Sequence, residues 1–328
     1  MSPSSPESDF GVKPLPSLKR MTTVTPQEIG LDLGAWEIFQ HPRFLEIYAS
    51  HYGWGVVAHH GVLIFARTVP GLGLMRTQVY SPEAGAGSDW HRILSDLPTG
   101  RIEVMTNRPA PEAVAMPTSP RDLHSMIIDL RPGAGELFAG FESRTRKAIR
   151  RAEREGMTVR LAQNEHDLER FHTVLLRVTR GGTVYQAPDL ALLRAIMHAG
   201  FSRLYLALHG GEVVGGIFVL ANRYAHGFVS AFDPQACGGL PGNLLYWGVI
   251  QGEIAAGVPF LDLGAQSLSQ QPGLTMAKRS FSPYLVPAYR YEVAPSAWRA
   301  KLGDMLRGLK RSKATAPPAP TKATEERD

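Results

Sequence analysis

The sequence predicts a layered α/β protein of two related modules, each a mixed, mainly antiparallel sheet flanked by helices. Three observations lead there. The chain has 328 residues, 44% hydrophobic and 20% charged, enough to bury one large core or two of ordinary size. Stretches with strand-like and helix-like apolar periods alternate along it. One order also recurs, a helix followed by two strands joined at a His/Gly turn, as in VVAHHGVLIFARTV and YLALHGGEVVGGIFVLA.

Residues 1–30 are rich in Ser and Pro, lack periodicity and read as a flexible leader. A first module is expected over 31–155. HPRFLEIYASH is a helix, and VVAHH and VLIFARTV, joined through Gly61, form a hairpin. RIEVMTN and SMIIDL are further strands. GELFAGFESRTRKAIRRAEREG reads as one helix, with Leu137, Phe141, Ala148 and Ala152 near helical spacing and Gly156 as its stop.

The second module is expected over 156–298, beginning with strand MTVRLA. Asn164 caps the helix NEHDLERFHTVLLRVTR, and DLALLRAIMHAG is a second helix. RLYLALH and EVVGGIFVLA form a hairpin about Gly210-Gly211, and AHGFVSAF is a third strand. A Gly/Pro-rich loop leads into the helix NLLYWGVIQGEIAAG and the strand PFLDLGA. YLVPAYRYEV reads as one closing strand. Residues 299–328 are a basic, Ala/Pro/Lys-rich tail.

Composition excludes several classes. The lone cysteine, Cys237, rules out an internal disulfide and a cysteine-based zinc site. The N-terminus has no apolar signal segment, and the apolar runs are far short of the roughly 20 residues of a membrane helix, so a cytoplasmic protein is expected. The Walker loop, HExxH and GxSxG are absent, and GLG at Gly71 is no dinucleotide fingerprint. His59 and His60 read as polar turn residues. The net charge is +5, and residues 141–160 alone carry seven basic and three acidic side chains.

Three segments carry candidate chemistry. On the basic helix, Arg146, Arg150 and Arg154 share a face, with Lys147 and Arg151 beside them. Such crowding costs tenths of a kcal/mol per like pair, which a polyanion would relieve. The loop DPQACGGLPGN joins a strand to a helix. Its glycines, Gly239 among them, admit close approach of a ligand, and Asn243 is an N-cap at the helix start. In FLDLGAQSLSQQPGLTMAKRSF, Asp262 sits among apolar residues and needs a partner. Lys278 follows after a flexible stretch, where a lysine can stabilise negative charge on a reacting carbonyl.

Together these segments resemble the Fem-type family of aminoacyl and acyl transferases, within the GNAT-like superfamily. IDLRPGAGELFAGF resembles the lead into the family's basic helix. SRTRKAIRRAEREGMTVR is similar to its Thr-Arg-x-x-Ile-Arg-x-Ala-Glu-x-x-Gly run. LPGNLLYWGVIQGEIAAGVPFLDLGA resembles its Asn-opened helix and Asp-ending strand, and GLTMAKRSFSPYLVP its Phe-Lys-x-x-Phe-Gly motif, with Ala277 and Ser282 at the Phe and Gly positions. The likeness spans roughly residues 35–295. It implies tandem acetyltransferase-like modules and an N-acyltransferase with Lys278 on the oxyanion; beside it we expect Asp262 to position the acceptor amine or orient a nearby donor. On our reading Arg146, Lys147 and Arg150 hold the phosphates of the donor or of a nucleotide-linked acceptor, Gly239 and Asn243 line the donor loop, and Tyr185, Gln266 and Ser267 are candidates for the acceptor pocket. The resemblance implies no metal, and no cofactor is bound permanently. Acyl-CoA or aminoacyl-tRNA is the co-substrate, tRNA is a possible partner, and the acceptor is a small or nucleotide-linked amine, peptidoglycan and cell-envelope precursors included. The competing expectation is a non-catalytic nucleic-acid-binding protein or scaffold on a degenerate transferase fold.

Overall fold

The computed structural model describes residues 22–31, 36–69, 73–82, 84, 89–97, 99–109, 123–179, 187–233, 241–269, 272–281, 284–296, 298–299, 301–302 and 305. Its strands are β1 (Thr22–Thr23), β2 (Gly55–His59), β3 (Val62–Val69), β4 (Gly73–Tyr80), β5 (Ile102–Thr106), β6 (Leu123–Asp129), β7 (Met157–Leu161), β8 (Ser202–His209), β9 (Glu212–Ala221), β10 (Ala225–Phe232), β11 (Phe260–Ser267), β12 (Tyr284–Pro287) and β13 (Tyr289–Val293). Its α-helices are α1 (Pro42–His51), α2 (Trp90–Ser95), α3 (Ala134–Gly140), α4 (Ser143–Arg154), α5 (Glu165–Thr179), α6 (Leu190–His198), α7 (Pro241–Ala255) and α8 (Pro272–Arg279).

The larger sheet runs β1-β12-β6-β11-β10-β9-β8-β7 and the smaller β13-β5-β4-β3-β2. Both are mixed and mainly antiparallel, as expected. The repeat is visible in the pairing. β2, β3 and β4 form an antiparallel meander and β5 adds in parallel; β8, β9, β10 and β11 do the same. The hairpin turns match too. His60 and Gly61 have φ of 47° and 84°, and Gly210 and Gly211 have 58° and 83°, the positive values that a two-residue turn needs to follow strand twist.

Each sheet takes its closing strand from the other half of the chain. β6 lies antiparallel to β11, and β13 antiparallel to β5. The division at 155/156 therefore does not follow the sheets. β6 and the helix pair α3–α4 belong to the larger sheet, because the apolar faces of Phe141, Ile149 and Ala152 pack with Leu245 and Ile250 of α7. Both faces of that sheet are covered, and strand alternation sends Leu204 and Leu206 to one core and Tyr205 and Ala207 to the other.

Several local expectations need correction. The helix expected from Gly135 to Gly156 is two helices, broken where Phe141 and Glu142 turn extended, although Gly156 does end the second at φ +79°. The closing strand is two strands. Ala288 passes the chain from the larger sheet to the smaller one. β4 and α2 carry no clear period and were not expected. Part of the leader is folded, since Thr22 and Thr23 pair with β12 and Ile29 is buried. Asn164 does cap α5, accepting the Asp167 N–H at 3.1 Å.

Asp167 links fold to pH. It accepts from Arg160 at 2.6 and 2.8 Å and from the Gln163 N–H at 2.8 Å. Chiefly the Arg160 hydrogen bonds hold its carboxyl at about 2, below the ordinary 3.8. Because the folded pKa is the lower one, the stability this group adds is complete above the ordinary value and is lost as pH falls toward about 2. Melting curves across that window should show the wild-type Tm falling more steeply than that of Asp167→Asn.

Candidate active site

β10 and β11 are neighbours at the centre of the larger sheet, yet their paired residues are only Ala225 with Leu261 and His226 with Asp262. β10 then bulges between Gly227 and Val229, β11 shifts between Asp262 and Ala265, and the strands part. The corresponding pair β4–β5 stays matched from Thr77–Ile102 to Tyr80–Met105, and the Ser81 N–H continues it onto the Met105 carbonyl at 2.8 Å. The fork is thus a property of the larger sheet. It leaves His226, Gly227 and Phe228 half-buried although they lie on a central strand.

Lys278 reaches this fork. It lies on α8, one turn after Thr275, and both side chains are buried on the helix's inner face. The run before it, expected to be flexible, includes the first turns of this helix. The ammonium donates to the Leu263 carbonyl at 2.5 Å. A β-carbon at Gly264, whose φ is +91°, would lie 3.6 Å from the Gly227 carbonyl oxygen and 3.7 Å from Lys278 Nζ, so the floor is narrow. Burial pushes the Lys278 pKa down to about 8, against an opposing pull from Asp262. Asp262, 2% exposed, accepts the Gly264 N–H at 2.8 Å and pairs with His226 Nδ1 at 2.9 Å. The two residues expected to be catalytic thus flank one bulge, Leu263–Gly264.

A cleft of about 500 Å³ opens beside the fork, between α4, the end of β10, the first turn of α7 and α8. Arg144, Thr145, Ser230, Asn243, Tyr246, Ala277 and Ser280 line it. Asn243 is on the cleft wall, in the first turn of α7, which starts at Pro241; it is not the N-cap. Proline suits that opening position because its missing N–H would be unpaired anyway. Burial pushes the Tyr246 phenol up to about 12, so it stays protonated. Ala277, at the motif's aromatic position, leaves its side of the cleft open.

The basic helix is rotated relative to expectation. Arg146 donates to the carbonyls of Ala139 (2.8 Å) and Phe141, closing the end of α3, so its guanidinium is already engaged. Arg150 lies over the Phe138 ring at 5.5 Å, with its charge exposed, and Lys147 is exposed beside it. Arg144 is the arginine that lines the cleft, paired with Glu142 at 2.7 Å. Gln266 is buried, donates to Thr275 at 2.9 Å and so ties β11 to α8; Ser267 is buried near Ser269. Gly239 and Tyr185 lie outside the described residues.

Sequence reasoning missed Arg144 and His226. Arg144 stood in the same basic run, but the run alone does not say which stripe faces inward. His226 gave no sequence signal, because its partner lies across a strand pair. Among the described residues, no helix is long and apolar enough to cross a membrane.

Residues 139–271 match the family of acetyltransferase (GNAT) domains. The forked pair β10–β11 lies inside that matched segment. Among solved structures the chain resembles the crystal structure of FemX at a TM-score of 0.59 and 14% identity, over 87% of this chain and 98% of that one. A Bacteroides thetaiotaomicron protein of unknown function gives 0.55 and 14%, over 84% and 98%. The C-terminal domain of a putative lysylphosphatidylglycerol synthetase from Agrobacterium fabrum gives 0.50 and 13%, over 86% and 95%. No curated protein sequence matches the chain. These solved structures share the chain's fold over most of its length.

Proposed function

We propose that the protein is an N-acyltransferase that moves an acyl or aminoacyl group from an activated ester or thioester to an amine, at the β10–β11 fork. One observation carries this: a buried ammonium, Lys278, held at the fork beside an open cleft. One of its N–H groups serves the Leu263 carbonyl, and the others are available to a developing oxyanion. The donor enters along α4, where Lys147, Arg150 and Arg144 meet its phosphates, with Asn243 on the facing wall. Asp262 fixes the bulge from which Lys278 works. Gln266 supports α8 and thereby Lys278. The chain works as two modules, the one built on the larger sheet holding the chemistry and the other completing the fold.

The exposed cations of α4 favour a polyanionic donor, and aminoacyl-tRNA is the one we propose, with an envelope precursor as acceptor. The neighbour named for lysylphosphatidylglycerol synthesis supports an aminoacyl cargo. Thermal stabilisation separates the donors. A ligand at 100 times its Kd adds about 2.7 kcal/mol. Bulk tRNA should raise Tm, and the rise should shrink steeply with salt as released counterions compete. A rise with acetyl-CoA or octanoyl-CoA and none with tRNA would replace the tRNA donor by a thioester. Binding of tRNA without consumption of any acyl donor would support the non-catalytic binding protein instead.

A further inference from the structure

We propose that His226 is the general base of this acyl transfer, held in its working tautomer by Asp262. The inference rests on the acyl-transfer reading above and adds a residue and a proton path to it.

His226 and Asp262 face each other across the only paired stretch of the parallel strands, at the point where those strands part. By strand alternation both lie on the sheet face opposite Leu261 and Ala225, which pack toward α7. The Asp262 carboxylate, 2% exposed, also accepts the Gly264 N–H at 2.8 Å, so its position is fixed from two sides. A carboxylate 2.9 Å from Nδ1 places the imidazole proton on Nδ1. Nε2 is then left with its lone pair, and it makes no hydrogen bond to any described residue. The imidazole side chain keeps 13% exposure, enough for a small group to reach it.

The arrangement divides the reaction between the two faces. The donor carbonyl lies in the fork with its oxygen toward Lys278, and the amine arrives on the His226 side. Attack forms the C–N bond and moves the carbonyl π pair onto oxygen. The proton on the attacking nitrogen passes to His226 Nε2. Collapse re-forms the carbonyl and breaks the bond to the donor's oxygen or sulfur, which leaves with the electron pair and takes that proton back from His226. The net change is one amide and one protonated leaving group, with the histidine restored.

The test compares wild type with His226→Gln, using whichever of acetyl-CoA, octanoyl-CoA and bulk aminoacyl-tRNA the wild type consumes. The acceptors are a UDP-linked muropeptide and hydroxylamine. The variant should lose about 10²- to 10⁴-fold in kcat with KM little changed. The loss should be smaller with hydroxylamine, whose nitrogen is unprotonated at neutral pH and needs less help; a purely structural defect would slow both acceptors alike. Asp262→Asn should lose rate in parallel, and the double variant should be no slower than the slower single one, as expected of residues acting as a unit. If His226→Gln does not melt cooperatively, His226→Asn, which keeps an amide N–H toward Asp262, takes its place. Wild-type turnover with an undiminished rate in the variant overturns the role of His226 alone. Absence of turnover by the wild type with every donor overturns the acyl-transfer reading, and this inference with it.

Discussion

Lys278→Ala lowers the kcat of acyl transfer about 10²- to 10³-fold and leaves donor binding close to wild type, the size of effect seen when one oxyanion donor is removed. The reasoning is local. Lys278 is 7% exposed, and its ammonium stands at the fork rather than on the open wall of the cleft. It therefore meets charge that develops during reaction more than charge already on the donor. Its pKa of about 8 adds a pH signature. Only the protonated form can stabilise an oxyanion, so kcat should fall as pH rises through about 8. Unfolding cannot mimic this through the same group. An unfolded lysine titrates near 10.5, so between about 8 and 10.5 the unfolded state binds more protons and stability from this group rises with pH. A kcat that is flat to pH 10 would remove Lys278 from the oxyanion role.

Glu253→Ala should cost the most stability of any single polar change. Glu253 is fully buried on α7 and is held by Arg203 through two hydrogen bonds, one of 2.8 Å, and by the Tyr205 hydroxyl at 2.8 Å. Burial and the adjacent carboxylate push the Tyr205 phenol well above its ordinary value, so it remains a donor. Removing the carboxylate strands both partners. Breaking a buried pair this way costs about 3–5 kcal/mol, and the 29% exposure of Arg203 places this case at the low end. Gly252→Ala should act on the same network, because a β-carbon there would run into the Tyr205 ring. Denaturant melts measure both effects. α7 also carries Asn243 and Tyr246, so loosening its far end should blur the cleft wall and lower kcat in step with stability. A Glu253→Ala protein as stable as wild type would mean that the network adds nothing net.

The parts of the fold legible in the sequence are those set by short-range physics. The hairpins about Gly61 and Gly211 announced themselves because a two-residue turn needs φ above zero, which glycine provides. Gly156 and Asn164 marked helix ends for similarly local reasons. β6 and β13 were legible as strands, but their exchange between sheets depends on contacts far apart in the chain. The extended residues Phe141 and Glu142 broke a helix whose apolar spacing looked continuous, since Phe141 turns inward against Trp247 and Phe281.

The site divides the same way. Lys278 and Asp262 stood out as charged residues in apolar company, a state that requires a partner. Asn243 was singled out by its place at a helix start. Arg146 was assigned to a ligand because a cationic stripe repels itself, yet two backbone carbonyls at the end of α3 occupy it. Arg144 and His226 became visible only in three dimensions, one from the rotation of α4 and the other from the register that sets residue 226 against residue 262.

The most direct measurement is amide formation followed by mass spectrometry, with wild type and Lys278→Ala run side by side on aminoacyl-tRNA and the CoA esters in the presence of a UDP-linked muropeptide. The account predicts a product heavier by one acyl or aminoacyl group with wild type, and almost none with the variant although it still binds the donor. Equal product from both proteins, or a wild type that binds donor and never transfers it, would contradict it.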